Sequence, residues 1–250
     1  MSNAFYAPGP QRATKVGDLF AAIARRYDLI NDLQSFGLHR RWKQRVTQLA
    51  GGRPGDRALD VCCGTGDLAF ALASQGADVV GLDFSQAMLG VARIRGEALE
   101  VRHRNAAKGQ PPACVRFLHG NAQQIPFSDA SFDIVTVGYG LRNLSSWETG
   151  LSEMARVAKP GGRLLVLDFG KPENGFWRTV YFAYLKLAVP LLGLAICRNA
   201  GAYAYILESL KRYPAQRGVE ARMRELDLTN VRVVDLLGGA MSINLAERAK

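Results

Sequence analysis

From residue 57 onward the chain alternates short apolar runs with longer mixed stretches. The runs fall at 57–63, 78–83, 114–119, 132–138, 163–169, 230–236 and 241–247. Their length and the turn residues around them predict strands, and helices fill most of the gaps. That alternation predicts a parallel sheet covered on both faces. The last two runs are parted only by Leu237 to Ala240. A connection so short permits a hairpin but no parallel crossover, so the final strand is expected to run antiparallel. The fold class expected is α/β, a Rossmann-like seven-stranded sheet with its last strand reversed.

Before the sheet, Leu19, Phe20, Ile23 and Tyr27 share one helical face, which predicts a helix over 17–27. Asp28-Leu29-Ile30-Asn31-Asp32 breaks that pattern, and Phe36-Gly37 reads as a turn. A second helix is expected from Arg40 to Leu49, stopped by Gly51-Gly52 and Pro54. Between strands five and six, Phe176 to Cys197 is rich in apolar and aromatic residues, interrupted by Arg178, Lys186 and Pro190. The run from Leu187 to Cys197 falls short of the roughly 20 apolar residues that span a bilayer. One or two helices over the open end of the sheet are expected there. They serve either as core or as a lid that accepts a hydrophobic substrate and touches a membrane. The organisation expected is a single domain, 1–250. It divides into a flexible lead (1–16), an N-terminal helical cap (17–52), a donor-binding core (57–170), a helical lid (171–214) and a C-terminal hairpin (230–248).

The most informative stretch is Leu59-Asp60-Val61-Cys62-Cys63-Gly64-Thr65-Gly66-Asp67-Leu68-Ala69. It reads as strand, tight glycine turn, helix. Glycines at 64 and 66 let the backbone bend and approach a ligand, and the helix aims free N–H groups at the turn. The next strand ends in Asp83, 17 residues after Gly66, a carboxylate suited to the two hydroxyls of a ribose. Gly64-x-Gly66-x-x-Ala69 with Asp83 also fits a dinucleotide fingerprint. Asp60 argues against it, because an acid facing the turn would repel a pyrophosphate and attract a cationic centre. S-adenosylmethionine, with its sulfonium, ammonium and ribose, fits that charge. A turn or helix cap is the plainer role for Asp60.

Composition narrows the picture further. Hydrophobic residues make up 48% and charged residues 22%, as in ordinary globular proteins. Met1 to Pro10 carries no signal-peptide pattern. Cys62, Cys63, Cys114 and Cys197 form no C-x-x-C pair and have no histidine at ligand spacing, so no metal site is expected. Cys62-Cys63 reads as small apolar packing on a core strand, and a reducing cytoplasm fits. The formal charge is +10, with basic clusters at Arg25-Arg26, at His39 to Arg45 and from Arg93 to Arg104. A solvated basic face, nucleic acid and an anionic membrane surface all remain open on charge alone.

In open α/β sheets ligands sit beyond the carboxyl ends of the strands. The third strand ends in Gly120-Asn121-Ala122, where Asn121 could meet an adenine edge or simply close a turn. The fourth ends in Gly138-Tyr139-Gly140-Leu141-Arg142-Asn143. Gly138 would let the donor lie against backbone, and Arg142 and Asn143 stand where a methyl acceptor enters. Neither Asn-Pro-Pro-Tyr nor a Pro-Cys nucleophile follows this strand, so a nucleic-acid substrate is not expected.

Several blocks together resemble the ubiquinone/menaquinone biosynthesis C-methyltransferases, from about Asp18 to the C-terminus. They are Leu19-Phe20-x-x-Ile23-Ala24-x-x-Tyr27-Asp28-x-x-Asn31-x-x-x-Ser35-x-Gly37-x-His39-x-x-Trp42, the donor loop 59–67 and Gly138-Tyr139-Gly140-Leu141-Arg142-Asn143. Arg156-Val157-x-Lys159-Pro160-Gly161-Gly162 and Tyr203-x-Tyr205-x-x-x-Ser209-x-x-x-Tyr213-Pro214 also fit. The chain departs from the family pattern at Arg222 to Asn230 and in the region 238–244. The resemblance implies a class I S-adenosylmethionine-dependent methyltransferase that methylates a ring carbon of a prenylated quinol, with another small lipophilic or phenolic acceptor as the alternative. Such an enzyme must align donor, methyl and acceptor carbon, and stabilise the phenolate that activates the ring. Asp60, Gly64, Thr65 and Gly66 would then cradle the methionine end, Asp83 the ribose, Asn121 and Ala122 the adenine, and Gly138 the sulfonium side. Arg142, whose guanidinium keeps its charge, would stabilise the phenolate, and a water held by Arg142 or Asn143 would carry the proton. Tyr27 and Asp28 would fold over the site as orienters, or staple helices together. His39, paired with Trp42, reads as structural. A naphthoquinol acceptor is preferred on Cys62-Cys63 and Tyr139. Peripheral contact at the inner face of the membrane and a homo-oligomer stay open, in a cytoplasmic protein.

Overall fold

Seven strands form the sheet in the computed structural model. They are β1 (Arg57–Val61), β2 (Asp78–Asp83), β3 (Val115–His119), β4 (Phe132–Gly138), β5 (Ala158–Phe169), β6 (Thr229–Leu236) and β7 (Met241–Glu247). Their order is β3-β2-β1-β4-β5-β7-β6. The pairs from β3 to β5 are parallel, and β7 runs antiparallel to both β5 and β6. The reversed last strand expected from the short 237–240 connection is present. The structure describes residues 16–18, 20, 21, 24, 27–105, 115–197 and 201–250. Leu19, Ile23, Arg25, Arg26, Cys114 and residues 1–15 of the expected lead lie outside them, as do the side chains of Tyr27, Cys197, Tyr203 and Tyr205, whereas Val16, the last residue of that lead, is helical and buried in the core.

Eight helices are described: α1 (Tyr27–Ser35), α2 (Leu38–Ala50), α3 (Asp67–Ala73), α4 (Gln86–Asn105), α5 (Trp147–Val157), α6 (Gly175–Cys197), α7 (Gly201–Arg212) and α8 (Ala215–Glu225). Strand alternation sends side chains to two separate cores. Leu59, Val61, Val135, Val137, Leu164 and Val166 pack on one face with Leu151 and Met154 of α5, Tyr181 and Leu185 of α6, and Val219 of α8. Ala58, Ile134, Leu165 and Leu167 pack on the other with Val46 and Ala50 of α2 and Leu68 and Leu72 of α3. Fully burying each such aliphatic side chain contributes about 1.5–3 kcal/mol. The two cores therefore fix both helical layers against the sheet.

Three local expectations are corrected. Asp28 to Asp32 does not break the helical pattern but lies inside α1. Asp28 occupies its first turn, where a carboxylate is favoured, and Asp32 is held by hydrogen bonds to His39 and Arg40 of α2. The first strand stops at Val61, because Cys62 takes a left-handed backbone at φ 54°. Cys62 is thus a turn residue rather than core strand, while Cys63 is buried. The fifth strand begins at Ala158 rather than 163, with a register shift against β4 around Pro160-Gly161-Gly162. A strand interrupted this way keeps its pairing on either side of a bulge.

The lid expectation resolves into a bifacial helix. On α6, Tyr181, Leu185 and Val189 are buried, whereas Phe176, Val180, Leu187 and Leu191 are exposed. Among the described residues no helix is long and apolar enough to cross a membrane.

Candidate active site

β1, β2 and β4 end side by side, and the turns after them frame one cavity of about 780 Å³ that opens to solvent. Its lining includes Gly64, Asp83, Phe84, Met88, Asn121, Ala122, Gly138, Tyr139 and Asn143. A smaller pocket shares Cys62, Gly64, Gly138 and Tyr139 with it and adds Lys43, Asp60, Thr65 and Asp67.

The glycine turn is built as the sequence requires. Gly64 and Gly66 sit at φ 55° and 89°, a left-handed backbone that glycine adopts at little cost. Gly66 directly precedes α3. Gly140 has a different constraint, since a Cβ there would overlap the Cys62 side chain. The turns after β1 and β4 therefore touch through that glycine.

Asp83 accepts hydrogen bonds from the backbone N–H of Gly64 and of Ser85, each at 2.8 Å. It thereby fastens the end of β2 to the glycine turn. Desolvation pushes its carboxyl up, opposed by those two amides. Asp60 is fully buried beneath the turn and accepts from Ala69 N–H at 3.1 Å and from the Thr136 hydroxyl at 2.9 Å. Burial raises its carboxyl from 3.8 to about 7, against the pull of the Thr136 hydroxyl and the Lys43 charge. Asp60 is thus both a cap for α3 and part of the wall of the smaller pocket.

Asn121 lines the cavity, but its Oδ1 already accepts from Gln123 N–H at 2.9 Å, which closes the turn. Ala122 is buried at the wall, and Gly138 would bring a Cβ against Leu68. Asn143 reaches the cavity while its Nδ2 donates to the Tyr139 carbonyl at 3.0 Å. Arg142 is not among the lining residues of either pocket. It lies buried, donating from Nη1 to Asp168 Oδ1 at 2.8 Å and to the Tyr139 carbonyl at 2.7 Å, with its guanidinium 4.5 Å from the Phe169 ring centroid. Burial pushes the Asp168 carboxyl up, and the Arg142 charge opposes it. Thr65 is buried and its hydroxyl donates to Asp28 Oδ1 at 2.9 Å. Asp28 therefore meets the donor loop from outside rather than from within the main cavity. Tyr27 opens α1, and its side chain lies outside the described residues.

Three contributors were not singled out in the sequence. Lys43, read only as part of a basic cluster, buries its amine between segments, with Nζ 2.6 Å from Asp67 Oδ2 and 5.9 Å from the Tyr139 ring centroid. Arg95 ties Asp28, the Thr65 carbonyl and Asp67 together at 3.1, 2.9 and 2.6 Å. Phe84, directly after Asp83, lines the main cavity, and that adjacency was the available signal.

The pocket chemistry fits an amino-acid nucleoside. An amino acid needs one anionic and one cationic partner, and Asp60 and Lys43 line one pocket. A ribose needs a fixed carboxylate, which Asp83 supplies. An aromatic base needs flat or small apolar walls, which Phe84, Met88 and Ala122 supply. A model of the ubiE/COQ5 methyltransferase family matches residues 10–248. The chain belongs to that family. It is 38% identical over 240 residues to the ubiquinone/menaquinone biosynthesis C-methyltransferase UbiE of Azotobacter vinelandii, covering 95% of this chain and 91% of that one. It is 40% identical over 232 residues to a demethylmenaquinone methyltransferase of Thermus thermophilus, covering 92% of this chain and 100% of that one. A solved SAM-dependent methyltransferase from Thermotoga maritima aligns with a TM-score of 0.62 at 18% identity, over 92% of this chain and 99% of that one. That likeness is one of fold. Family membership bears out the methyltransferase class and the S-adenosylmethionine cofactor expected from the motifs.

Proposed function

We propose that this protein methylates a ring carbon of a prenylated quinol, converting demethylmenaquinol to menaquinol. The observation that carries the reading is the joint placement of Asp83, Asp60 and Lys43 around one glycine turn, in a member of this family. S-adenosylmethionine, when bound, supplies an electrophilic methyl group. Asp83 takes the ribose hydroxyls. Asn121 and Ala122, with Phe84, flank the base. Asp60 and Lys43 hold the amino-acid end above Gly64, Thr65 and Gly66, and Gly138 admits the sulfonium side. Asp28 and Arg95 clamp the loop from outside, with Tyr27 on the same helix.

Asn143 stands at the acceptor end and orients the ring or a water that takes its proton. Arg142, behind the wall of both pockets, adds its positive charge to the field at the ring oxygen without touching it. Its pairing with Asp168 fixes the guanidinium in place and argues against direct proton removal. The naphthoquinol preference is supported by the Thermus relative's name, while the Azotobacter relative's name covers both quinones.

In this reading the chain divides into a cap at 17–52, a donor core at 57–170, a lid at 171–214 and the C-terminal hairpin at 230–248. A prenyl tail is membrane-soluble, so the protein must meet a bilayer. The outward stripe of α6 suits that contact, with Phe176 80%, Leu187 63% and Leu191 65% exposed. Leu29, Leu33 and Phe36 add a second exposed apolar row at the neighbouring α1, which α6 holds through a Tyr184–Gln34 hydrogen bond. The formal charge of +10 favours the anionic inner leaflet. A second copy of the chain is the other cover for this stripe.

Turnover with S-adenosylmethionine against demethylmenaquinol and a demethyl-benzoquinol of equal tail tests the reading. Faster methylation of the naphthoquinol supports it. Donor binding without methylation of either quinol refutes the substrate assignment.

A further inference from the structure

Gln123, in the turn after β3, lines the main cavity beside Asn121 and Ala122. Its side chain joins that turn to the turn after β4, although β2 and β1 lie between the two strands. Oε1 accepts from the Ser146 backbone N–H at 2.5 Å and from the Ser145 hydroxyl at 2.8 Å, and Ser145 lines the same cavity. A backbone N–H can only donate, so this contact identifies the amide oxygen and fixes which way the amide faces. Nε2 is then the free end. Among the described residues it has no hydrogen-bond partner, and although Gln123 is half-buried, that nitrogen keeps exposed surface. A ligand in the cavity can therefore reach it.

The turn that carries Gln123 leads away from Asp83. Its near end is anchored there, because Gly120 N–H donates to the Asp83 carbonyl at 3.0 Å. Gln124 N–H donates to the Asn121 carbonyl at 3.0 Å and Gln123 N–H to Asn121 Oδ1 at 2.9 Å, which closes the turn. Gln123 stands at the far end, tied to the turn after β4. A nucleoside whose ribose is held at Asp83 turns the sugar edge of its adenine toward that carboxylate. N1, the ring nitrogen farthest from the sugar, then points to the far end. N1 carries a lone pair and no proton, so it needs a donor, and Nε2 carries two N–H bonds.

We infer that Gln123 determines specificity for the base of the donor, its Nε2 donating a hydrogen bond to N1 of the adenine. The inference rests on the placement of the base beside Asn121 and Ala122, and not on the identity of the quinol. Ser145 and Ser146 hold the amide before the donor arrives, so little side-chain freedom is lost on binding. The same two contacts keep the amide from turning its oxygen toward the base, which makes this wall a donor and not an acceptor.

Calorimetry of the full chain with S-adenosylhomocysteine and its 1-deaza, 3-deaza and 7-deaza analogues is the test. Each analogue replaces one ring nitrogen by C–H and keeps the shape of the base. Wild type should bind the 1-deaza analogue about five- to tenfold more weakly than the parent, the worth of one neutral hydrogen bond. Gln123→Glu keeps an acceptor for Ser145 and Ser146, so the two turns stay joined, but it loses the amide donor. Its 1-deaza penalty should vanish. The penalty is a ratio read within each protein, so a general loss of affinity or stability cancels from it. A purely structural Gln123 would leave the ratio untouched. Wild type without a 1-deaza penalty, or a penalty that Gln123→Glu retains, overturns the inference. A penalty that the variant removes at the 3-deaza or 7-deaza analogue instead places Gln123 on another edge of the base and overturns the N1 contact. Wild type that does not bind S-adenosylhomocysteine at all overturns the donor reading itself.

Discussion

Replacing Asp60 by asparagine probes the buried carboxylate beneath the donor turn. Burial raises its carboxyl to about 7, against 3.8 for a free aspartate. The folded state therefore holds a proton that the unfolded chain has released between those values. Stability from this group is fully present below about 3.8 and is lost as pH rises through about 7. At roughly 1.4 kcal/mol per pH unit, the whole window is worth about 4 kcal/mol, and the part between pH 5 and pH 8 about 3 kcal/mol. Asparagine cannot ionise, yet its carbonyl can accept from Ala69 N–H and its amide can donate to the Thr136 hydroxyl. Denaturant unfolding at pH 5 and pH 8 should then show the wild type losing about 3 kcal/mol more than the variant. The difference between the two proteins isolates Asp60 from other carboxylates. Donor binding supplies the second readout. A cationic amino-acid end favours the ionised carboxylate, so wild-type affinity for S-adenosylmethionine should rise from pH 6 to pH 8, and the variant's pH dependence should flatten. Equal stability slopes for both proteins would falsify the assignment of a raised, buried Asp60.

Other substitutions test the remaining parts. Asp83→Ala removes the acceptor for a ribose diol, and calorimetric donor affinity should fall about 10- to 100-fold, from a loss of roughly 1.5–3 kcal/mol; unchanged affinity would remove Asp83 from the donor site. Arg142→Met leaves Asp168 buried without its cation, so unfolding free energy should drop by about 3–5 kcal/mol, and Arg142→Met combined with Asp168→Leu should recover much of it. Turnover of the stable double variant then reads the catalytic role without the folding defect, and normal turnover would refute phenolate stabilisation by Arg142. Leu187→Glu with Leu191→Glu should abolish sedimentation with anionic vesicles at unchanged melting temperature, since each apolar insertion is worth roughly 1.5–3 kcal/mol. If sedimentation persists, the α6 stripe is not the membrane face, and a concentration-dependent mass that the variants abolish would mark it as a subunit interface.

Much of the framework was legible without coordinates, for a local reason. A strand announces itself by its own apolar run and its bounding turns, so six of the seven strands lie within a residue or two of the runs read from sequence. The four-residue connection before β7 dictated its reversal by chain length alone. Gly64 and Gly66 announced a left-handed turn because few other residues accept that backbone. Family motifs were equally visible, being patterns of adjacent residues.

Tertiary structure decided what depends on distance through space. Lys43 looked like surface charge until α2 folded it against Asp67, 24 residues away in sequence. Nothing near Arg142 in sequence announced its partner, and β5 brought Asp168 against it from 26 residues on. Cys62 looked like core because an apolar run does not reveal the residue at which a strand ends. The periodicity of α6 did not say which of its two apolar faces the sheet would cover, and packing chose the one with Tyr181, Leu185 and Val189. Sequence fixes the conformations open to each segment through short-range sterics and hydrophobic period. Burial, and with it the raised carboxyl of Asp60, exists only once distant segments exclude water together.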